Sequence, residues 1–193
     1  MKRMSGLVVA CVVFGLGCGV TQTGKPGTAA QRTKLTEARE IQGYPCAKGY
    51  AMVYPSGKLA SCSVSRETAF GEALVPAGSI IGLESTGKPK GAMMAHNTVI
   101  AGVRCGGGNW PLGPSEGAST AFYPSGKLEQ CWLAGDQSVQ GVPCMTAGFI
   151  GLFGDGARRG GGANFYESGK LKSCTLGKDY GGQRRGEHFQ QAQ

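Results

Sequence analysis

The chain has 193 residues, 35 of them glycine, with only 8% aromatic residues and a formal net charge of +8. Most of that charge lies outside the central stretch: residues 1–17 carry +2, 18–34 carry +3 and 177–193 carry +1, leaving +2 for 35–176 from 12 basic and 10 acidic residues. Dedicated nucleic-acid binding needs cations clustered on the folded part, so that class is excluded, and the glycine content predicts a thin core with many turns.

Residues 1–17 read as an export signal. Lys2 and Arg3 precede an apolar run over 7–16 that is too short to span a bilayer comfortably. The run ends Gly15-Leu16-Gly17-Cys18, which is similar to the bacterial lipobox, where small residues precede a cysteine that is diacylated and becomes the mature N-terminus. Gly15 stands where that motif prefers leucine, so the alternative is an ordinary secretory signal with an incidental cysteine. On the lipobox reading Cys18 is lipidated and the bilayer is the first partner. Residues 18–34 are polar and without a large apolar side chain beyond Val20, which predicts a flexible linker with an r.m.s. span of about 20 Å.

A nine-residue phrase then recurs three times. It reads Tyr54-Pro-Ser-Gly-Lys-Leu-Ala-Ser-Cys62, Tyr123-Pro-Ser-Gly-Lys-Leu-Glu-Gln-Cys131 and Tyr166-Glu-Ser-Gly-Lys-Leu-Lys-Ser-Cys174. Tyrosine suits a pleated strand, Ser-Gly a turn and leucine the return strand, so each copy predicts a β-hairpin tip. A second motif precedes each: Ile41-Gln-Gly-Tyr-Pro-Cys46, Ile100-Ala-Gly-Val-Arg-Cys105 and Val139-Gln-Gly-Val-Pro-Cys144. A fourth, degenerate copy has Thr86-Gly87-Lys88 at its tip, with Val75 and Ala92 at its two cysteine positions. Four units follow, at 35–63, 64–93, 94–132 and 133–176, differing mainly in the loop between the opening cysteine and the hairpin.

Period-two spacing puts Val103 with Cys105, Val142 with Cys144, Cys62 with Val64, and Cys131 with Leu133 on one strand face each. Leu59, Leu128 and Leu171, three before their cysteines, fall on the opposite face unless a bulge intervenes. Six cysteines remain for an oxidising compartment once Cys11 leaves with the signal and Cys18 carries lipid. The degenerate unit lacks both its cysteines together, which selects pairing within units: Cys46–Cys62, Cys105–Cys131 and Cys144–Cys174. Pairing across units leaves Cys62 facing Val75.

Catalytic motifs are weak. Gly113-Pro-Ser115-Glu-Gly117 matches the nucleophile pattern of serine hydrolases, yet no strand feeds it and no helix follows, which leaves Ser115 a minor alternative. Tyr and Lys four apart in each repeat match a dehydrogenase pair, but Ser-Gly between them makes a turn. Neither histidine pairs nor close cysteines suggest a metal, and no cofactor is implied. The long loops are candidate binding elements, one carrying Trp110 and the other Phe149, Phe153, Arg158 and Arg159. Lys58, Lys88, Lys127 and Lys170 follow the turn glycine in all four units, so regular stacking sets them in a row that could grip an anionic envelope polymer or headgroups. Their spacing is about 10 Å with two strands per unit and roughly 14 Å with three. Residues 177–193 offer little to bury and are expected to be a disordered tail.

The phrase at Tyr54 to Leu59, Tyr123 to Leu128 and Tyr166 to Leu171 resembles the core of MORN-type repeats. That resemblance implies successive β-hairpins stacked into an elongated sheet, and a role in membrane association or protein interaction rather than catalysis. It covers neither the cysteines nor the opening motif. The expectation is an all-β, MORN-like or solenoid-like sheet of four disulfide-linked hairpins, in an exported, non-catalytic envelope protein that binds an envelope protein or polymer, or serves as a spacer.

Overall fold

The computed structural model describes residues 29–108, 119–146 and 162–192. These are all-β, without a helix. In chain order the strands are β1 (Gln31–Leu35), β2 (Arg39–Ile41), β3 (Tyr44–Val53), β4 (Leu59–Val64), β5 (Thr68–Phe70), β6 (Ala73–Val75), β7 (Ile80–Leu83), β8 (Pro89–Met93) and β9 (Thr98–Ile100). There follow β10 (Val103–Cys105), β11 (Ser119–Phe122), β12 (Leu128–Trp132), β13 (Gln137–Val139), β14 (Val142–Cys144), β15 (Gly162–Phe165), β16 (Leu171–Thr175) and β17 (His188–Gln190).

One antiparallel sheet runs β1-β3-β4-β7-β8-β11-β12-β15-β16-β17, with β2 added to the first turn of β3. Its main hairpins are β3–β4, β7–β8, β11–β12 and β15–β16. Each has an extra residue on its return strand, at Ala60, Lys90, Glu129 and Lys172: Met52 faces Ser61 and Val53 faces Leu59, for instance. This bulge turns Leu59, Leu128 and Leu171 onto the cysteine face, where all three are buried. The sheet is open rather than solenoid-like, with β1 and β17 at its two edges.

The opening motifs are hairpins in their own right. β5–β6, β9–β10 and β13–β14 form separate two-stranded ribbons, and β2 pairs with the start of β3 in the same way. Gln42-Gly43, Ala101-Gly102 and Gln140-Gly141 all have positive φ at both residues, the type I′ geometry that matches strand twist. These small hairpins cover one face of the sheet. Phe70 lies edge-on to Phe122 of the sheet with ring centroids 5.4 Å apart, and also meets Tyr44. Val75, Ile100, Val103, Val139 and Val142 join Ile81, Leu83, Phe165 and Leu176 in one core. Three disulfides link the layers or neighbouring strands: Cys46–Cys62, Cys105–Cys131 and Cys144–Cys174, with Cα separations of 5.7, 5.6 and 5.8 Å. The pairing expected from the cysteine-free unit is the one observed.

Two expectations are corrected at the ends. Residues 31–34, assigned to the linker, form most of β1 and pair with β3 from Gln31↔Val53 to Leu35↔Gly49. The polar sequence is no obstacle, because an edge strand needs backbone partners and gains from charge on its open side. Within the expected disordered tail, β17 pairs with β16, and Phe189 packs on the core and edge-on to Tyr180. One aromatic anchor and a backbone ladder order a stretch whose composition is otherwise poor in apolar residues.

Candidate functional site

The four hairpin tips are built alike. The first residue of each tip (Tyr54, Glu84, Tyr123 or Tyr166) donates its N–H to the carbonyl of the lysine four residues on and accepts from the turn glycine, at 2.8 to 2.9 Å. Gly57, Gly87, Gly126 and Gly169 take φ of 79°, 90°, 86° and 84°, a region costly to any residue with a Cβ. Pro55 and Pro124 fill the second turn position, where their fixed φ fits. Strand alternation brings all four tips out along one edge, two strands or about 10 Å apart.

Lys58, Lys88, Lys127 and Lys170 are exposed at these tips. Lys58 Nζ also donates to the Thr86 carbonyl of the next tip at 3.1 Å, so one of the four ties tips together. The bulge lysines Lys90 and Lys172 add to the edge, while Glu84, Glu129 and Glu167 offset it. The edge is therefore mixed in sign with a cationic excess.

Tyrosine fixes the spacing. Tyr54 Oη donates to the Leu83 carbonyl at 2.9 Å, Tyr123 Oη to Phe165 O at 2.8 Å and Tyr166 Oη to Gln191 O at 2.8 Å, each reaching a neighbouring element. Burial, with Glu129, Glu167 and Tyr166 nearby, pushes the Tyr123 phenol above its ordinary range. The small hairpins clamp the tips from the other side. Gln42 Oε1 accepts from Leu59 N, Glu72 Oε1 from Leu128 N at 2.6 Å and Gln140 Oε1 from Leu171 N at 2.9 Å. Sequence reasoning missed these clamps, although Gln-Gly between apolar or aromatic residues at 41–44 and 139–142 carried the hairpin signal.

The two longest loops rejoin the sheet at Ser119 and Gly162, the strand ends opposite the tips. Both are pinned at their base by a side chain: Asn97 Oδ1 accepts from Gly107 N at 3.1 Å, and Asp136 Oδ1 from Thr146 N at 2.9 Å. The aligned positions in the short-loop units are Ala38 and Glu67. Trp110, Ser115, Phe149, Phe153, Arg158 and Arg159 lie outside the described residues, as does Cys18. His96, between β8 and β9, and His188, in β17, are both exposed, and among the described residues no group of His, Cys, Asp or Glu is placed to hold a metal ion. No protein-family model, characterised protein or solved structure matches the chain.

Proposed function

We propose that the chain is an exported, non-catalytic cell-envelope lipoprotein, anchored through acylated Cys18, in which four MORN-like hairpin units form a binding or scaffolding surface. The observation that supports this best is the tip edge, where Lys58, Lys88, Lys127 and Lys170 stand about 10 Å apart on turns locked by identical hydrogen bonds. Charges so spaced are only partly screened at physiological salt, where the Debye length is about 8 Å. The partner of that edge is an anionic envelope polymer or the acidic face of an envelope protein; nucleic acid is not a partner.

The test is binding to isolated envelopes as salt is raised, comparing the parent with a variant carrying Gln at all four lysines. The expected result is weaker binding and a shallower salt dependence in the variant. Equal binding and equal slope remove the lysine row and leave the loop residues Trp110, Phe149, Phe153, Arg158 and Arg159 as the binding candidates. No partner in a cross-linked pull-down favours a spacer. Mass spectrometry of the native N-terminus should show lipidated Cys18; an unmodified terminus beyond Gly19 removes the anchor.

A further inference from the structure

Among the described residues no strand covers the face of the sheet away from the small hairpins, and the side chains of that face are set out by register. One row crosses the sheet as Met52, Ser61, Gly82, Gly91, Ala121, Gln130, Asn164 and Ser173, each opposite the next. Through β4, β7, β8 and β11 this row is nearly bare of side chain, and at Gly91 a Cβ would lie 2.9 Å from the Thr120 carbonyl. From β11 to β15 its character changes. Gln130 faces Asn164 across the strands, and Trp132 follows on the same face opposite Gly162. Tyr123 and Tyr166 stand on the tip side of these amides. Gln130, Trp132, Asn164 and both tyrosines are half-buried, each keeping part of its surface in solvent.

We propose that this part of the open face, formed by Tyr123, Gln130, Trp132, Asn164 and Tyr166, binds an uncharged linear polysaccharide running across the strands. The chemistry points to sugar. Apolar C–H faces of a pyranose stack on aromatic rings, and its hydroxyls pair with planar amides that both donate and accept. Each tyrosine hydroxyl is already bound to a neighbouring carbonyl, which lays the ring toward the next element and fixes it before a ligand arrives. Lys172 Nζ sits 5.7 Å over the Tyr166 ring on the flexible stem of an exposed side chain, so a stacked sugar takes the place of the ammonium there. Asn164 spends one donor on Ser173 Oγ at 3.1 Å, and among the described residues its carbonyl oxygen and second N–H take no further partner. Tyr123 and Tyr166 occupy equivalent places one hairpin apart, about 10 Å, comparable with the disaccharide repeat of an extended β-1,4-linked glycan. A neutral ligand also agrees with the mixed charge around it, Glu129 and Glu167 against Lys172.

The inference shares with the functional proposal the reading of the chain as a binding scaffold, but not its lysine row. The probe is the hexamer of β-1,4-linked N-acetylglucosamine, titrated into the full-length protein by calorimetry at low and high salt. Saturable binding insensitive to salt is expected. Gln130→Ala should weaken it about fivefold, as for a lost hydrogen bond, and Trp132→Ala about tenfold or more, as for a lost aromatic anchor. The four-lysine Gln variant should bind the hexamer as the parent does. Gln130 lies on the half-exposed face, so its variant reports on binding even if Trp132→Ala fails to fold. No saturable binding, or parental affinity in Gln130→Ala, overturns the inference and leaves the lysine row standing. Binding that falls with salt and with the lysines overturns it in favour of that row.

Discussion

At β3–β4, β11–β12 and β15–β16 a disulfide ends on the return strand, whereas at β7–β8 the two corresponding places hold Val75 and Ala92, both buried. The unbridged unit differs in its tip as well, with Glu84 for tyrosine and Pro89 for leucine. Its ties run outward instead. Tyr54 and Lys58 reach into it from the first hairpin, and its small hairpin clamps the third, through Glu72 N to Gly126 O and Leu128 N to Glu72 Oε1. Disulfides therefore anchor three of the four main hairpins, while β7–β8 relies on the hydrogen bonds that link neighbouring hairpins. The two kinds of tie should fail under different perturbations.

The largest effect should come from a bridged unit. Replacing Cys144 and Cys174 by alanine opens a loop with a sequence separation of 30 and is expected to cost about 3–4 kcal/mol. Chemical unfolding followed by circular dichroism measures it. Loss below about 1 kcal/mol means that the β13–β14 hairpin is held mainly by its apolar contacts. Next comes the clamp of the unbridged unit. Gly71 has φ +60° and lies so close to Gly126 that a Cβ would overlap the Gly126 carbonyl. Gly71→Ala should cost about 2–3 kcal/mol, since strain and overlap add. An unchanged midpoint means the clamp is not formed in solution.

These ties mark how far the sequence could be read. The tips and the disulfide pairing were legible because a repeated phrase fixes a turn chemically, and because a unit missing two cysteines at once removes the alternatives. The faces of Leu59, Leu128 and Leu171 were not, because a bulge changes strand periodicity without changing composition. The clamp from Glu72 to Leu128 N was hidden for another reason: it joins residues 56 apart in sequence, and only the stacking of hairpins brings them together. The ordering of β1 and β17 was missed because an edge strand draws on backbone pairing that composition does not record. The open-face cluster escaped notice for the same reason as the clamp, since its register is a property of the sheet.

A smaller effect tests the tyrosine braces. Tyr123→Phe removes the bond to Phe165 O while keeping the ring, and should cost about 1 kcal/mol at neutral pH. Burial raises the Tyr123 phenol, and nearby acids add to this. A group whose folded pKa is raised contributes stability that is intact below its unfolded pKa, here the ordinary value of 10.0, and lost as pH rises through the folded one. The parent should therefore lose stability in the alkaline range above pH 10, and Tyr123→Phe should flatten that loss. An identical alkaline slope would show that the phenol does not differ between folded and unfolded chains.

The smallest expected change has the opposite sign, and it lies against the unbridged unit. Thr120 pairs with Ala92 across β8 and β11, is 1% exposed, and its Oγ1 has no hydrogen-bond partner among the described residues. Nearby Ser79 is equally buried, but its Oγ accepts from Ala95 N at 2.9 Å. The two hydroxyls should therefore respond differently to removal. A buried hydroxyl without a partner keeps its desolvation cost, on the order of 1–3 kcal/mol, with no bond to offset it. Thr120→Val keeps the shape and removes that cost, so a gain of up to about 1 kcal/mol is expected, whereas Ser79→Ala should lose about 1 kcal/mol by orphaning the Ala95 N–H. Paired unfolding curves decide it. Destabilisation of more than about 1 kcal/mol by Thr120→Val would mean the hydroxyl is satisfied by a water or a neighbour, and that β8 and β11 are joined by a polar tie rather than by the plain ladder.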